Sequence, residues 1–159
     1  MRIGIDIRNV GKKRTGDEAV FFNLAKNLAE IDQKNEYFLF TDITENDALS
    51  EIANRLDVVG KANFKIIPLR TFNRFSWNFW SLPRYLKKNP MDVYHTQYIT
   101  PFFVSRRTKI VTTIHDISFN FFPQFIKLSD LFFLKNLIPI SLKRADKIIA
   151  VSEFTRDEI

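Results

Sequence analysis

The chain contains two histidines, and each follows a short run suited to a β-strand: His95 comes after "DVY" and His115 after "KIVTTI". Asp116 follows His115 directly, so an imidazole and a carboxylate meet where an apolar, β-branched strand gives way to a loop. An imidazole there can donate a hydrogen bond to a hydroxyl or phosphate oxygen, and the carboxylate can orient or charge-stabilise a nearby group. Two further positions share this character. Ser152 follows "KIIAV", and Gly16 lies in "RTGDEAV", between a first strand and an amphipathic helix. A glycine at a helix start lets backbone approach a bound anion. Asp17 and Glu18 compete with such an anion, and Thr15 with Glu18 has the T-x-x-E spacing of a capping box. The acids therefore read as helix-start residues, while Gly16 keeps the backbone open and Lys12, Lys13 and Arg14 offset the charge.

Residue types also exclude chemistry. The absence of cysteine removes disulfides, cysteine-based zinc sites and thiol nucleophiles together, and fits a reducing compartment. No Ser-His-Asp arrangement is evident, and the histidines lack helical metal-ligand spacing, so no metal site is expected.

These groups need elements to position them. "RIGIDI" (2–7), "EYFLFT" (36–41), "FKIIPL" (64–69), "DVYH" (92–95), "KIVTTI" (109–114) and "KIIAV" (147–151) read as strands. Between them, Val20, Phe21, Leu24, Leu28 and Ile31 follow helical spacing, as do Leu49, Ile52, Ala53 and Leu56. Residues 74–88 read as one helix or two short ones around Pro83, and 128–145 as a long helix with a kink expected at Pro139. The alternation predicts an α/β, Rossmann-like, doubly wound, mainly parallel sheet in one domain over 1–159. In such a sheet ligands bind at the carboxyl ends of strands, where His95, His115, Asp116, Ser152 and the Gly16 loop all fall. In "VSEFTRDEI", Ser152 or Thr155 can cap a last helix, which leads to the expectation that these residues belong to a longer protein.

The net charge of +6 is uneven: residues 61–109 carry ten basic side chains against Asp92 alone. Within them Arg70, Arg74, Arg84, Lys87 and Lys88 interleave with Phe72, Phe75, Trp77, Phe79, Trp80 and Tyr85. That pattern suits an anionic membrane interface, a stacked sugar or lipid acceptor, or single-stranded nucleic acid; the alternative is that the aromatics are core and the cations solvated. No nucleic-acid motif accompanies it, so no nucleic-acid partner is expected. Lys135 and Asn136 break the longest apolar stretch, and the N-terminus lacks the apolar run of a signal peptide.

The strings "DVYHTQYITPFF", "IHDISFNFFP" and "ADKIIAVSEFT", after "IGIDIRN" and "RTG", resemble the amino-terminal half of family 4 retaining glycosyltransferases, in the glycogen synthase-like and bacterial mannosyltransferase-like group. The resemblance implies the acceptor-side domain of a GT-B enzyme, which moves a hexose from a GDP- or UDP-sugar to an acceptor hydroxyl with retention and without a metal. It implies that His115 lies beside the transferring sugar with Asp116, that Gly16 with Thr15 faces the donor phosphates, and that His95 and Ser152 lie on the cleft rim. Arg74, Trp77, Trp80, Arg84, Lys87 and Lys88 would form the acceptor or membrane side. The nucleotide-sugar is then a substrate rather than a cofactor, held mainly by a carboxy-terminal domain absent from these residues, without which transfer is expected to be negligible. The partners implied are a sugar or glycolipid acceptor and a peripheral contact with the inner face of the cytoplasmic membrane.

Overall fold

Strand and helix patterns alternate into a six-stranded, all-parallel sheet in the order β3-β2-β1-β4-β5-β6, the order of a Rossmann-like doubly wound fold. The computed structural model describes residues 1–12 and 16–159, with Arg74 and Ser129 described by their backbone alone. The strands are β1 (Arg2–Asp6), β2 (Glu36–Thr41), β3 (Phe64–Pro68), β4 (Val93–Gln97), β5 (Lys109–Ile114) and β6 (Lys147–Ala150). The helices are α1 (Gly16–Ile31), α2 (Asn46–Arg55), α3 (Arg74–Ser76), α4 (Leu82–Lys88), α5 (Ser118–Phe121), α6 (Leu128–Arg144) and α7 (Glu153–Asp157). A π-helical turn, Trp77–Ser81, joins α3 to α4, and a 3-10 turn, Pro123–Phe125, follows α5. The chain divides into two units, residues 1–94 with 101–108 and residues 95–100 with 109–159.

In the first unit, β2 shows why the sheet is covered on both faces. Side chains alternate along a strand, so Tyr37 and Leu39 enter one core with Ile5, Ile7 and Phe21, while Phe38 and Phe40 enter another with Trp77, Leu82 and Tyr94. Helix α1 buries Phe21, Ala25 and Ala29, an i, i+4, i+8 stripe whose small alanines permit close approach. Val20 and Ile31, expected on that stripe, are exposed instead.

The segment 74–88 departs most from its sequence reading. Asn73 caps α3 in a reciprocal box: its Oδ1 accepts from the Phe75 and Ser76 N–H groups, and Ser76 Oγ accepts from the Asn73 N–H. Trp77 is then fully buried, whereas Trp80 is 75% exposed. In an α-helix residues three apart share a face; the wider π turn separates them. Trp77 is thus a core residue, not part of an acceptor or membrane surface. Pro83 lies in the first turn of α4, where its missing N–H is harmless, and it does not divide the helix.

In the second unit, Ile114, Ile117, Phe119 and Ile138 form the core, flanked by Tyr98, Leu131, Leu134 and Leu142. Helix α6 runs without a break through Pro139. Ser152, rather than Thr155, caps α7, its Oγ accepting from the Thr155 N–H at 3.1 Å. Among the described residues no helix is long and apolar enough to cross a membrane.

Candidate functional site

The second unit brings both histidines onto one pair of strands. β4 runs to Gln97, two residues past the end read from the sequence, so His95 stands in mid-strand rather than at its tip. Residues two apart on a strand share a face, which places His95 with Gln97 on β4 and Thr113 with His115 on and just beyond β5. The polar side chains then pair across: a His95 ring nitrogen, Nε2, lies 2.8 Å from Thr113 Oγ1, and His115 Nε2 lies 3.2 Å from Gln97 Oε1. Ile114, between Thr113 and His115, points the other way into the core. The β-period therefore carries both imidazoles along one face of the sheet.

His115 is half-buried and Asp116 exposed. Asp116 Oδ1 accepts from the Ser118 N–H at 3.0 Å and from Ser118 Oγ at 2.7 Å, and the Tyr98 hydroxyl donates to Oδ2 at 3.4 Å. The carboxylate thus fastens the turn into α5 as well as standing beside His115. The Tyr98 ring lies 5.5 Å from the imidazole, centroid to centroid. Such a cluster can hydrogen-bond a hydroxyl or phosphate oxygen through a ring whose orientation is fixed before the ligand arrives. The Ser152 hydroxyl also donates to Thr155 Oγ1, at 3.0 Å, so its contacts lie within the α7 cap. Ser152 lines an open 540 Å³ pocket beside β6 together with Ile148, Val151, Glu153 and Arg156.

In the first unit, Gly16 opens α1, and a Cβ built there would meet none of the described residues within 4 Å beyond its chain neighbours and its own helix backbone. Thr15, its expected partner in the donor-phosphate loop and in the capping box, lies outside the described residues. Glu18 reaches back across the loop, where its Oε1 accepts from the Gly11 N–H at 3.0 Å and faces Arg55 at 3.5 Å. Gly11 adopts φ +86°, a conformation a side chain would strain, so this is a built turn that "RNVGKK" does not advertise.

Arg8 is the residue that sequence reasoning missed in this unit. It follows β1, grips the fully buried Asp6 with Nε and Nη2 at 2.7 to 3.1 Å, and lies 4.4 Å over the Trp77 ring. Burial opposes its charge, but the Asp6 carboxylate more than reverses this and holds the guanidinium above its ordinary range. The signal was a D-x-R pair at the end of an apolar strand.

Of the surface residues, Trp80, Arg84, Lys87 and Lys88 are exposed, as expected; the Arg74 side chain lies outside the described residues. The segment is joined by a loop not foreseen from sequence: the Phe102 N–H donates to Asn78 O at 2.9 Å, and Phe79 stacks on Phe102 at 4.2 Å. That loop carries Phe103, 82% exposed, with Arg106 and Arg107. Among the described residues, no cluster of three or more His, Asp or Glu side chains forms a metal site.

Residues 15–159 match the sequence profile of Glycosyltransferase Family 4. The chain belongs to Glycosyltransferase Family 4. This covers the His115–Asp116 turn, the Gly16 helix start and the basic-aromatic segment alike, and associates the chain with glycosyl transfer in general. No curated protein matches this family 4 chain.

Proposed function

We propose that these residues form the acceptor-side domain of a glycosyltransferase moving a hexose from a GDP- or UDP-sugar to an acceptor hydroxyl with retention of configuration, in cell-surface glycan or glycolipid synthesis. The observation that carries the reading is the His115–Asp116 pair after β5, backed by Gln97 and Tyr98, within a family 4 chain. In this reading the His115 imidazole hydrogen-bonds the transferring sugar, and the Asp116 carboxylate favours positive charge developing near it. Gly16 faces the donor phosphates, and His95 and Ser152 flank the cleft. The nucleotide-sugar is held mainly by a second Rossmann-like domain, and the step needs no metal. The motif strings favour the mannosyltransferase-like and glycogen synthase-like group within the family, and a cytoplasmic location.

The test supplies the chain with such a second domain and measures transfer from labelled GDP- and UDP-hexoses to glycan and glycolipid acceptors. His115→Ala is expected to lower turnover roughly 10²-fold or more. Among the described residues, nothing beyond its chain neighbours and its own helix backbone lies within 4 Å of a Cβ added at Gly16, so weaker GDP or UDP binding by Gly16→Val reports on ligand approach. Absence of transfer from every donor by the two-domain protein overturns the reading.

A second reading, compatible with the first, rests on the exposed aromatics of the first unit. Phe72, Trp80 and Phe103 are 99%, 75% and 82% exposed, on segments that also carry Arg84, Lys87, Lys88, Arg106 and Arg107. Aromatic side chains with cations suit an anionic membrane interface, on which a glycolipid acceptor would be met.

A further inference from the structure

We propose that Gln97 and Tyr98 are positioning residues: the corner at the end of β4 fixes His115 through Gln97 and Asp116 through Tyr98. The consequence for sugar transfer rests on the reading above, whereas the positioning is a property of the folded chain.

Consecutive residues on extended backbone face opposite sides, so on a regular strand the Tyr98 ring would lie on the face away from the His115 imidazole that Gln97 meets. The backbone resolves this by leaving the strand. Tyr98 adopts φ +54°, in the left-handed region where a bulky side chain is an outlier. The corner is anchored by the Tyr98 N–H donating to Thr113 O at 3.0 Å and the Ile99 N–H donating to Gln97 O at 2.6 Å. After that turn the Tyr98 hydroxyl reaches Asp116 while its ring lies against His115. Strained non-glycine conformations persist where the surroundings over-determine them, and they gather at functional sites.

Gln97 acts on the other member of the pair. It is 8% exposed, and its amide oxygen faces His115 Nε2. A buried amide needs a partner, and an amide oxygen only accepts, so this pairing requires the proton on Nε2. In the neutral ring the second nitrogen, Nδ1, is then the acceptor. Gln97 sets the tautomer and ring plane of His115, and Tyr98 with Ser118 sets the carboxylate of Asp116, so the dipeptide meets a ligand already oriented.

The test is nuclear magnetic resonance of the 159-residue chain labelled with ¹⁵N at histidine. The parent is expected to show His115 as the Nε2–H tautomer with a solvent-protected ring proton. Gln97→Met should lose that signal, and Gln97→Glu, which still accepts, should keep it. His95, held on Thr113 at 2.8 Å, should be unchanged in all variants and so reports that the fold survives. A ring-proton signal unaltered in Gln97→Met, or lost in Gln97→Glu while His95 is intact, overturns the proposal for Gln97. Tyr98→Gly removes the strain with the ring: a thermal midpoint at or above the parent's, with a broadened His115 signal, is expected. A lower midpoint with an unchanged His115 signal would make Tyr98 merely structural and overturn its part.

In the two-domain protein, Gln97→Met should lower kcat about 10- to 100-fold with little change in KM for the donor, and Gln97→Glu should restore it. Undiminished transfer by Gln97→Met overturns the functional consequence. Absence of transfer in the parent instead strikes the proposed function, and the spectra still decide the positioning.

Discussion

Asp32 and Tyr37 tie the end of α1 to the start of β2, and their chemistry gives this small contact a pH dependence of both signs. The Tyr37 hydroxyl donates to Asp32 Oδ2 at 2.7 Å, with the Asn35 amide at 2.6 Å and the Lys34 N–H at 2.7 Å adding to the same carboxylate. Tyr37 foremost, then Asn35 and Lys34, hold Asp32 well below the usual carboxylate range. Burial, and then the Asp32 hydrogen bond, push the Tyr37 hydroxyl up to about 12. A carboxylate whose folded pKa is depressed adds stability above its unfolded value near 4, which is lost as pH falls below that. A phenol whose folded pKa is raised adds stability that is complete below its unfolded value near 10 and is lost as pH rises through about 12. Denaturant midpoints of the parent should therefore fall on both limbs. Tyr37→Phe should flatten the alkaline limb and make the acid limb shallower. Unchanged limbs would show that this contact is not coupled to folding.

At the scale of elements, Gly4 shows a constraint that comes from packing rather than from backbone freedom. It lies within β1, and a Cβ there would stand 2.8 Å from Phe40 Cε2 and 2.9 Å from Tyr94 Cδ2, both in the buried aromatic cluster. Gly4→Ala should cost about 1–3 kcal/mol through overpacking, read as a lower urea midpoint with an unchanged slope. The strands themselves were legible because β-branched and aromatic runs alternate with helical periods; the six observed strands begin and end within a residue or two of the expected ones. Their exceptions have physical causes. β4 extends beyond His95 because Thr96 and Gln97 are polar by type yet buried, with Gln97 held by His115, and composition alone reads such residues as loop. Trp77 was misplaced because the π turn shifts the helical phase by one residue, a change without a sequence period of its own. Of the site, the His115–Asp116 pair was legible from type and position, whereas Gln97, Tyr98 and Arg8 depend on a cross-strand register, a left-handed backbone and a buried ion pair.

For the molecule as a whole, the net charge of +6 is concentrated, and the first unit says where it is presented. Arg84, Lys87 and Lys88 of α4 and Arg106 and Arg107 of the loop after β4 are exposed, while Trp77, expected on the same surface, is buried. What remains outside are Phe72, Trp80 and Phe103, large apolar rings that water solvates poorly. The two classes of side chain act at different ranges. Cations attract an anionic bilayer over roughly a Debye length, about 10 Å at 0.1 M salt, and each contributes on the order of 1 kcal/mol near the surface. Aromatic rings act only on contact, where they lodge at the headgroup level. Co-sedimentation with vesicles of mixed neutral and anionic phospholipid should therefore separate the contributions. The parent should bind, and raising salt should weaken it without abolishing it. The Trp80→Ala, Phe103→Ala double variant should lose the salt-resistant part, and Lys87→Glu, Lys88→Glu should lose the salt-sensitive part. Because these side chains are exposed, the variants should unfold at the parent's temperature, so loss of sedimentation is not loss of fold. Equal binding to neutral vesicles, or no binding by the parent, would remove the membrane surface and leave α4 with its adjoining loop as a solvated face.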